Sequence, residues 1–177
     1  SVAVWYDVGS KNDPAGRTGF AHLFEHLMFK ATANTPPETF DRFTEDVGGF
    51  NNASTADDYT NYFETVPANH LERILWVEAE RMGSLVVDEA SFRSERQVVQ
   101  EELRQRVLAS PYGRLFYLYA AQANFDVHPY GRPGIGSTGR SGRPTHSTRS
   151  PSSPRPSPSP FLTGTTATAA LQPACWR

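Results

Sequence analysis

Two histidines and a glutamate, His22, Glu25 and His26, lie inside the strongly apolar segment GFAHLFEHLMFK at residues 19–30. If this segment is helical, His22 and His26 are four residues apart and project from one face about one turn apart. Two imidazoles at this spacing can bind one tetrahedral zinc ion, and a nearby carboxylate that is not a ligand can act as a base. The order H-x-x-E-H reverses the H-E-x-x-H zinc-binding order. The alternative is that both histidines are core residues that hydrogen-bond to backbone carbonyls.

A second segment, SFRSERQVVQEELRQRV, supplies a candidate for the third protein ligand that an open zinc site requires. On a helix, Glu95, Val98, Val99 and Glu102 form one stripe. Seven residues turn about 700°, which brings Glu102 to within about 20° of Glu95, whereas Glu101 points elsewhere. The valines indicate that the stripe is buried, and buried carboxylates need a cation. The other charged residues are interpreted as a solvated face: Glu101, Arg104 and Arg106.

Strands and helices that could position these residues are readable up to about residue 130. Residues 2–7 alternate as in a strand with both faces covered, and two further strands are expected around a turn at 56–58. The helix that carries the histidines is expected to run from Thr18 or Gly19 to Phe29, with Thr18 as its N-cap.

Three more helices are predicted, and each has recognisable boundaries. Thr35 and Glu38 have capping-box spacing around Pro36 at the first helical position, and a glycine pair at 48–49 ends that helix. A helix at about 68–83 has four apolar residues on one face: Leu71, Ile74, Leu75 and Met82. The glutamate stripe lies on a helix at about 89–108 that is capped by Asp88, and a last helical stretch precedes HPYGRP. Without a regular βαβ rhythm, the order predicts an α+β fold: a two-layer structure in which helices pack on one face of a mixed sheet.

The composition of the chain changes at about residue 136. Every Asp and Glu lies at or before Asp126, and residues 137–160 are almost wholly Ser, Pro, Arg, Gly and Thr. We therefore interpret residues 1–136 as one domain, incomplete at its end, and residues 137–177 as a low-complexity tail. Little apolar surface predicts disorder there. The abrupt change also fits a GC-rich gene read out of frame, and both interpretations stay open.

Several classes of function receive no support from the composition. The net charge of -2 gives no reason to expect nucleic acid as a partner, and no apolar run reaches the roughly 20 residues of a membrane helix. The single cysteine, Cys175, leaves the redox compartment and the localisation unknown. The chain opens directly on strand-like residues without an initiator Met, so we expect it to be a fragment.

Together the two segments resemble the insulinase/pitrilysin family of inverted zinc metallopeptidases, which includes the mitochondrial processing peptidase. That family has H-x-x-E-H on one helix and E-x-x-x-x-x-x-E on a second helix about 70 residues later. The resemblance implies that His22, His26 and Glu102 bind one zinc ion. It also implies that Glu25 is the general base and that Glu95 is a second catalytic-site carboxylate that helps to position the site.

The resemblance extends over about residues 1–136 and implies how a peptide binds. The segment GGFNNASTADDYTNYFETV is similar to an edge strand that pairs with the substrate backbone, with Asn52, Ala53 and Ser54 at the equivalent place. Family members also have a second half of similar fold that closes over the substrate. Nothing in this chain corresponds to that half, so we expect a zinc metalloendopeptidase domain that is inactive alone and needs a second half or subunit.

Two other functions remain as alternatives. One is a non-catalytic binding or assembly subunit of the same fold, although such a relative is expected to lose the zinc ligands. The other is nucleic-acid binding through the arginine-rich tail, which lacks interleaved aromatic residues and any recognisable module.

Overall fold

The structure, a computed structural model, describes residues 1–136. In chain order the strands and helices are β1 (Val2–Tyr6), α1 (Phe20–Leu27), α2 (Thr39–Glu45), β2 (Phe50–Thr55), β3 (Thr60–Thr65), α3 (Leu71–Gly83), α4 (Glu89–Glu102) and α5 (Ala120–Asn124). No helix in this part of the chain is long and apolar enough to cross a membrane. The predictions of a disordered or frameshift-derived tail concern residues 137–177 and lie outside the described residues.

The three strands form one sheet in the order β1–β3–β2, and the predicted α+β class is confirmed. The predicted turn between β2 and β3 is present, and the Ala56 N–H donates a hydrogen bond to the Tyr59 carbonyl at 2.8 Å. Where the sequence predicts a mixed sheet, both described pairings are antiparallel. A tight turn can join only antiparallel neighbours, and β1 then pairs antiparallel with the free side of β3.

Helices cover one face of this sheet. Val4, Tyr62 and Ala53 are in register across the three strands on the covered face, and Tyr62 at its centre is fully buried. On the opposite face, Trp5 is 60% exposed and Phe50 is 55% exposed. The prediction that both faces of β1 are covered is therefore wrong for the described residues. Side chains of α1, α2 and α3 contact Thr55, Asn51 and Glu64, which all lie on the same face of the sheet as Tyr62.

The start of α1 is held by a carboxylate that lies several residues upstream. The two oxygens of Asp13 accept hydrogen bonds from the Gly19 N–H at 2.7 Å and from the Ala21 N–H at 2.8 Å. Gly19 occupies the cap position with φ 87°, a conformation that glycine adopts without steric cost. The prediction that Thr18 caps the helix is wrong, since the helix begins one residue later and Asp13 satisfies its first donors.

The predicted capping box of α2 is also wrong, because this helix begins at Thr39. The Thr35 hydroxyl instead hydrogen-bonds to the Thr32 hydroxyl at 2.8 Å. Glu38 precedes the helix with φ 64°, so it cannot be the third helical residue that a capping box requires. The predicted glycine stop fits the structure better, since Gly48 has φ 74° just beyond the helix end.

α4 begins as the sequence predicts and then changes its winding. The Asp88 carboxylate accepts a hydrogen bond from the Ser91 N–H at 2.7 Å, so the predicted N-cap is confirmed. After Glu102 the helix continues as a wider π-helical segment, Leu103–Leu108, instead of as α-helix to Leu108. Such widened turns occur often at functional sites.

α3 packs on the sheet with a different face from the predicted one. Its buried residues are Ile74, Val77, Glu78 and Arg81. The other residues of the predicted apolar face are about half exposed: Leu71, Leu75 and Met82. The face predicted from the apolar residues is therefore wrong. The helix turns two charged residues inward, where they form a buried cluster with the sheet.

The buried cluster consists of Arg81 and Glu78 of α3 and Glu64 of β3. The Arg81 guanidinium lies 3.5 Å from Glu64 and 3.1 Å from Glu78, and it also lies over the Tyr62 ring at 4.3 Å. Two carboxyls share one guanidinium in a site where every member is about 2% exposed. Burial and the neighbouring Glu78 both raise the pKa of Glu64, Arg81 lowers it, and the net result is a pKa of about 8. Glu64 is therefore expected to hold a proton at neutral pH.

This cluster predicts that the free energy of unfolding falls as pH rises. Glu64 has a pKa near 4.5 when unfolded and about 8 when folded, so its contribution is complete below about 4.5 and is lost as pH rises through about 8. The slope from one such group approaches about 1.4 kcal/mol per pH unit between these values. Glu64→Gln keeps the neutral shape and should flatten this part of the curve in urea unfolding of the metal-free chain from pH 5 to 8.

The control for this prediction is Glu72→Gln, which alters an exposed carboxylate on α3. It should leave the pH dependence of wild type unchanged. An unaltered slope in Glu64→Gln would show that Glu64 does not carry the proton.

Candidate metal centre

α1 and α4 pack against each other, and this contact forms the site. Leu23 and Leu27 of α1 form a buried cluster with Val99 of α4. His22 and His26 lie about 40° apart around α1, so both project from nearly the same side of the helix. The packing therefore brings both imidazoles to the glutamates of α4.

The two histidines and Glu102 converge on one point. His22 Nε2 lies 3.5 Å from Glu102 Oε2, and His26 Nε2 lies 3.4 Å from the same oxygen. One ligand atom from each of the three residues lies within 4.8 Å of the others. Zinc ligands at about 2.0–2.1 Å in a tetrahedron are about 3.3 Å apart, so the three residues fit the metal that the sequence predicts.

The state of the histidines also suits metal binding. Burial lowers the pKa of His22, and the neighbouring His26 lowers it further, while Glu102 opposes the change. A lowered pKa favours neutral imidazole, which is the form that coordinates a metal. Within residues 1–136, His22 Nδ1 is buried without a hydrogen-bond partner.

The α4 stripe is only partly buried. Glu95 and Val99 are buried and Glu102 is nearly so, but Val98 is 46% exposed and lines the cleft at the site. The prediction that Val98 is buried is therefore wrong, because its side chain lies at the cleft wall. Glu101 pairs with Arg104 in solvent at 2.9 Å, as expected for a solvated face.

Glu25 faces the same cleft from α1. Its Oε2 accepts a short hydrogen bond, 2.5 Å, from the Thr55 hydroxyl at the end of β2. Burial raises the pKa of the Glu25 carboxyl, while the Thr55 hydrogen bond and the charge of His26 lower it. A carboxyl whose pKa is raised by burial is a stronger base once ionised, which suits proton transfer near neutral pH.

Glu95 lies beside the cluster and joins it to a cation. Its Oε2 is 3.5 Å from His26 Nδ1, and its Oε1 forms an ion pair with Lys30 at 2.9 Å. Glu95 thus contacts the ring nitrogen that faces away from Glu102. This placement differs from that of Glu102, which contacts Nε2 of both histidines.

β2 forms one wall of the cleft and one edge of the described sheet. Asn52, Ala53 and Ser54 all line this cleft, which has a volume of about 820 Å³. Antiparallel pairs alternate between bonded and non-bonded, and the bonded pair Ala56–Tyr59 sets the phase. The N–H and C=O of Ala53 therefore point away from β3. The Asn52 side-chain oxygen accepts the Ala53 N–H at 2.8 Å.

The structure also places three residues at the site that the sequence did not reveal: Lys30, Thr55 and Arg106. Arg106 was interpreted as part of a solvated face, yet it pairs with Glu102 Oε1 at 2.7 Å while its own side chain stays 74% exposed. The i, i+4 spacing of Glu102 and Arg106 is a signal that could have indicated this pair. Thr55 contacts a residue 30 positions away, and no local pattern predicts such a contact.

Known proteins resemble this chain over the same region. Residues 1–127 match the family described as insulinase, peptidase family M16. The zinc protease PqqE of Helicobacter pylori is 44% identical over 129 residues, which are 73% of this chain and 29% of that protein. An uncharacterised zinc protease of Mycobacterium leprae is 38% identical over 77% of this chain and 30% of that protein.

A solved structure agrees with these sequence matches. The crystal structure of a protease from Helicobacter pylori superposes with a TM-score of 0.71 at 42% identity, covering 76% of this chain and 32% of that one. The chain thus spans about a third of the length of the relatives that it matches. The family match covers most of the chain, and the chain belongs to the insulinase family of peptidases, M16.

Proposed function

We propose that this chain carries the catalytic centre of a zinc-dependent metalloendopeptidase. His22, His26 and Glu102 would hold one zinc ion, and Glu25 would be the general base. The observation that carries the proposal is the convergence of three ligand atoms within 4.8 Å, with the Glu25 carboxylate lining the same cleft. The zinc protease names of the relatives support it.

The proposed mechanism assigns the proton transfers to Glu25. The chemistry that bound zinc would supply is a lowered pKa for water and polarisation of the peptide carbonyl. Glu25 accepts a proton from the attacking water and passes it to the leaving nitrogen as the amide bond breaks. The Thr55 hydroxyl holds one carboxylate oxygen of Glu25, which leaves the other oxygen to receive the proton.

The peptide would bind as an additional strand on β2. The outward N–H and C=O of Ala53 offer one donor and one acceptor to an extended backbone, and Asn52 and Ser54 flank them in the cleft. The Ala53 N–H must exchange its bond to Asn52 for a bond to the substrate. Backbone pairing of this kind would give affinity with little sequence preference.

A second half or subunit is part of the proposal. Rate depends on holding the peptide still and on donors aimed at the developing negative charge, beyond activation of water. One such donor is worth roughly 10²- to 10³-fold in rate. The chain covers about a third of its relatives, so we propose that the remaining donors come from the region that it does not match. The alternative of a non-catalytic subunit receives no support from the site, since all five predicted residues are present.

The ligand assignment predicts different zinc losses for two adjacent glutamates. Glu102→Gln should weaken zinc binding strongly, because Glu102 contacts both imidazoles and an amide oxygen is a poorer ligand than a carboxylate. Glu101→Gln is the matched control, since among the described residues Glu101 hydrogen-bonds to Arg104 and Gln105 and to neither histidine. Metal analysis after dialysis should find about one zinc per chain in wild type and in the control. Equal zinc loss in the two variants would remove Glu102 from the ligand set.

If a second half supplies the remaining donors, this chain should cleave peptides only when that half is added. A quenched-fluorescent peptide library should show no measurable turnover by the zinc-loaded chain alone, and chelator-sensitive turnover after a C-terminal half from a relative is added. In the complemented sample, Glu25→Gln should retain zinc but lose cleavage, because an amide cannot accept the proton. Robust, chelator-sensitive cleavage by the chain alone would contradict the need for a second half.

A further inference from the structure

In Glu95 and in Glu102, one carboxylate oxygen pairs with a cation and the other faces the histidines. Glu102 Oε1 pairs with Arg106 at 2.7 Å, while its Oε2 faces the imidazoles. Glu95 Oε1 pairs with Lys30 at 2.9 Å, while its Oε2 faces His26 Nδ1. In both cases the cation fixes one oxygen and so leaves the other in a defined place.

Glu95 depends on its cation more than Glu102 does. The Glu95 side chain is only 6% exposed, so water can do little to hold it, whereas the Lys30 side chain is 28% exposed and keeps its ammonium partly hydrated. A buried carboxylate that loses its cation partner carries a large desolvation cost. It would then reorient toward solvent or toward other donors.

Lys30 reaches Glu95 because the chain keeps turning after α1. The Lys30 N–H donates to the Leu27 carbonyl at 3.0 Å and the Phe29 N–H donates to the His26 carbonyl at 3.2 Å, so a last turn continues past the helix end. Lys30 thus lies about one turn beyond His26, close enough for its side chain to reach Glu95. Both residues meet the same carboxylate, one at each oxygen.

We propose that Lys30 is a positioning residue for the metal centre, acting through Glu95 on His26. The ammonium fixes Glu95 so that Oε2 faces the Nδ1–H of His26. A carboxylate at Nδ1 selects the tautomer in which Nε2 carries no proton and holds the ring toward the metal. This inference rests on the proposed zinc site and adds Lys30 to the residues that support it.

The test compares zinc affinity in the full chain, measured by competition with a chelator. Lys30→Met keeps the length of the side chain without its charge and should weaken binding about tenfold, the lower end for residues that support a metal ligand. Lys30→Arg should restore most of the affinity. Lys11→Met is a matched control, because Lys11 forms a similar ion pair with Asp58 at 2.8 Å, is 33% exposed and lies outside the cleft.

A double variant shows whether Lys30 acts through Glu95. Glu95→Gln should itself weaken zinc binding, and adding Lys30→Met to it should cause little further loss, since neighbours in one chain of contacts are not additive. The visible spectrum of the cobalt-substituted chain should shift in Lys30→Met and return in Lys30→Arg, because it reports ligand geometry. Circular dichroism of the metal-free proteins checks that each variant is folded. If Lys30→Met does not fold, Lys30→Gln replaces it with the same expectation.

The outcomes separate this inference from the proposed function. Wild-type affinity and an unchanged cobalt spectrum in Lys30→Met would overturn the role of Lys30 while the zinc site stands. An equal tenfold loss in the Glu95→Gln background would also overturn it, because Lys30 would then act by another route. Failure of the wild-type chain to bind zinc would instead contradict the proposed function.

Discussion

The packing of α1 on α4 is the contact on which the rest of the site depends. Leu23 and Leu27 meet Val99, and this apolar contact holds the two helices at a fixed rotation and height. On α1 the histidines lie four residues apart, and on α4 the glutamates lie seven residues apart, so each pair stays on one side of its helix. The helices present these sides to each other, and the four side chains meet without any loop having to position them. Asp13 supports the arrangement by fixing the start of α1.

The charges of the site are balanced in two layers. The inner layer contains the two imidazoles and the two carboxylates, and the outer layer contains Lys30 and Arg106. A buried carboxylate without a cation would be strongly destabilising, so Lys30 and Arg106 offset the cost of placing the two glutamates beside the histidines. In the buried cluster around Arg81, by contrast, the carboxyl groups outnumber the cations. It has two carboxyls for one cation, and Glu64 compensates through a raised pKa.

The sequence predicted the site best where the proposed zinc chemistry requires a fixed spacing of residues along a helix. The separations of His22 from His26 and of Glu95 from Glu102 survive in the structure because they depend only on helical periodicity, which packing does not alter. The strand pair around Asp57 and Asp58 was predictable for a similar reason, since its turn chemistry is local. These local patterns placed every residue of the proposed zinc site on the correct element.

The sequence was misleading where long-range contacts override local patterns. At the start of α1, Asp13 instead of Thr18 satisfies the free N–H groups, because its carboxylate folds back to accept from Gly19 and Ala21. α3 turns Glu78 and Arg81 inward because Arg81 pairs with Glu64 on β3 as well as with Glu78. The residue pattern within α3 gives no information about a partner on a strand. Neither Thr55 nor Lys30 stands out by residue type, and each gains its role only from the carboxylate that it contacts.

The proposed site requires that α1 and α4 together bind one zinc ion through His22, His26 and Glu102. X-ray absorption spectroscopy at the zinc edge of the fully loaded chain tests it most directly. We expect four nitrogen or oxygen neighbours at about 2.0–2.1 Å, with the outer scattering of two imidazole rings. Scattering from fewer than two imidazoles would contradict this ligand set. So would a sulfur neighbour at about 2.3 Å, which only Cys175 or a methionine could supply.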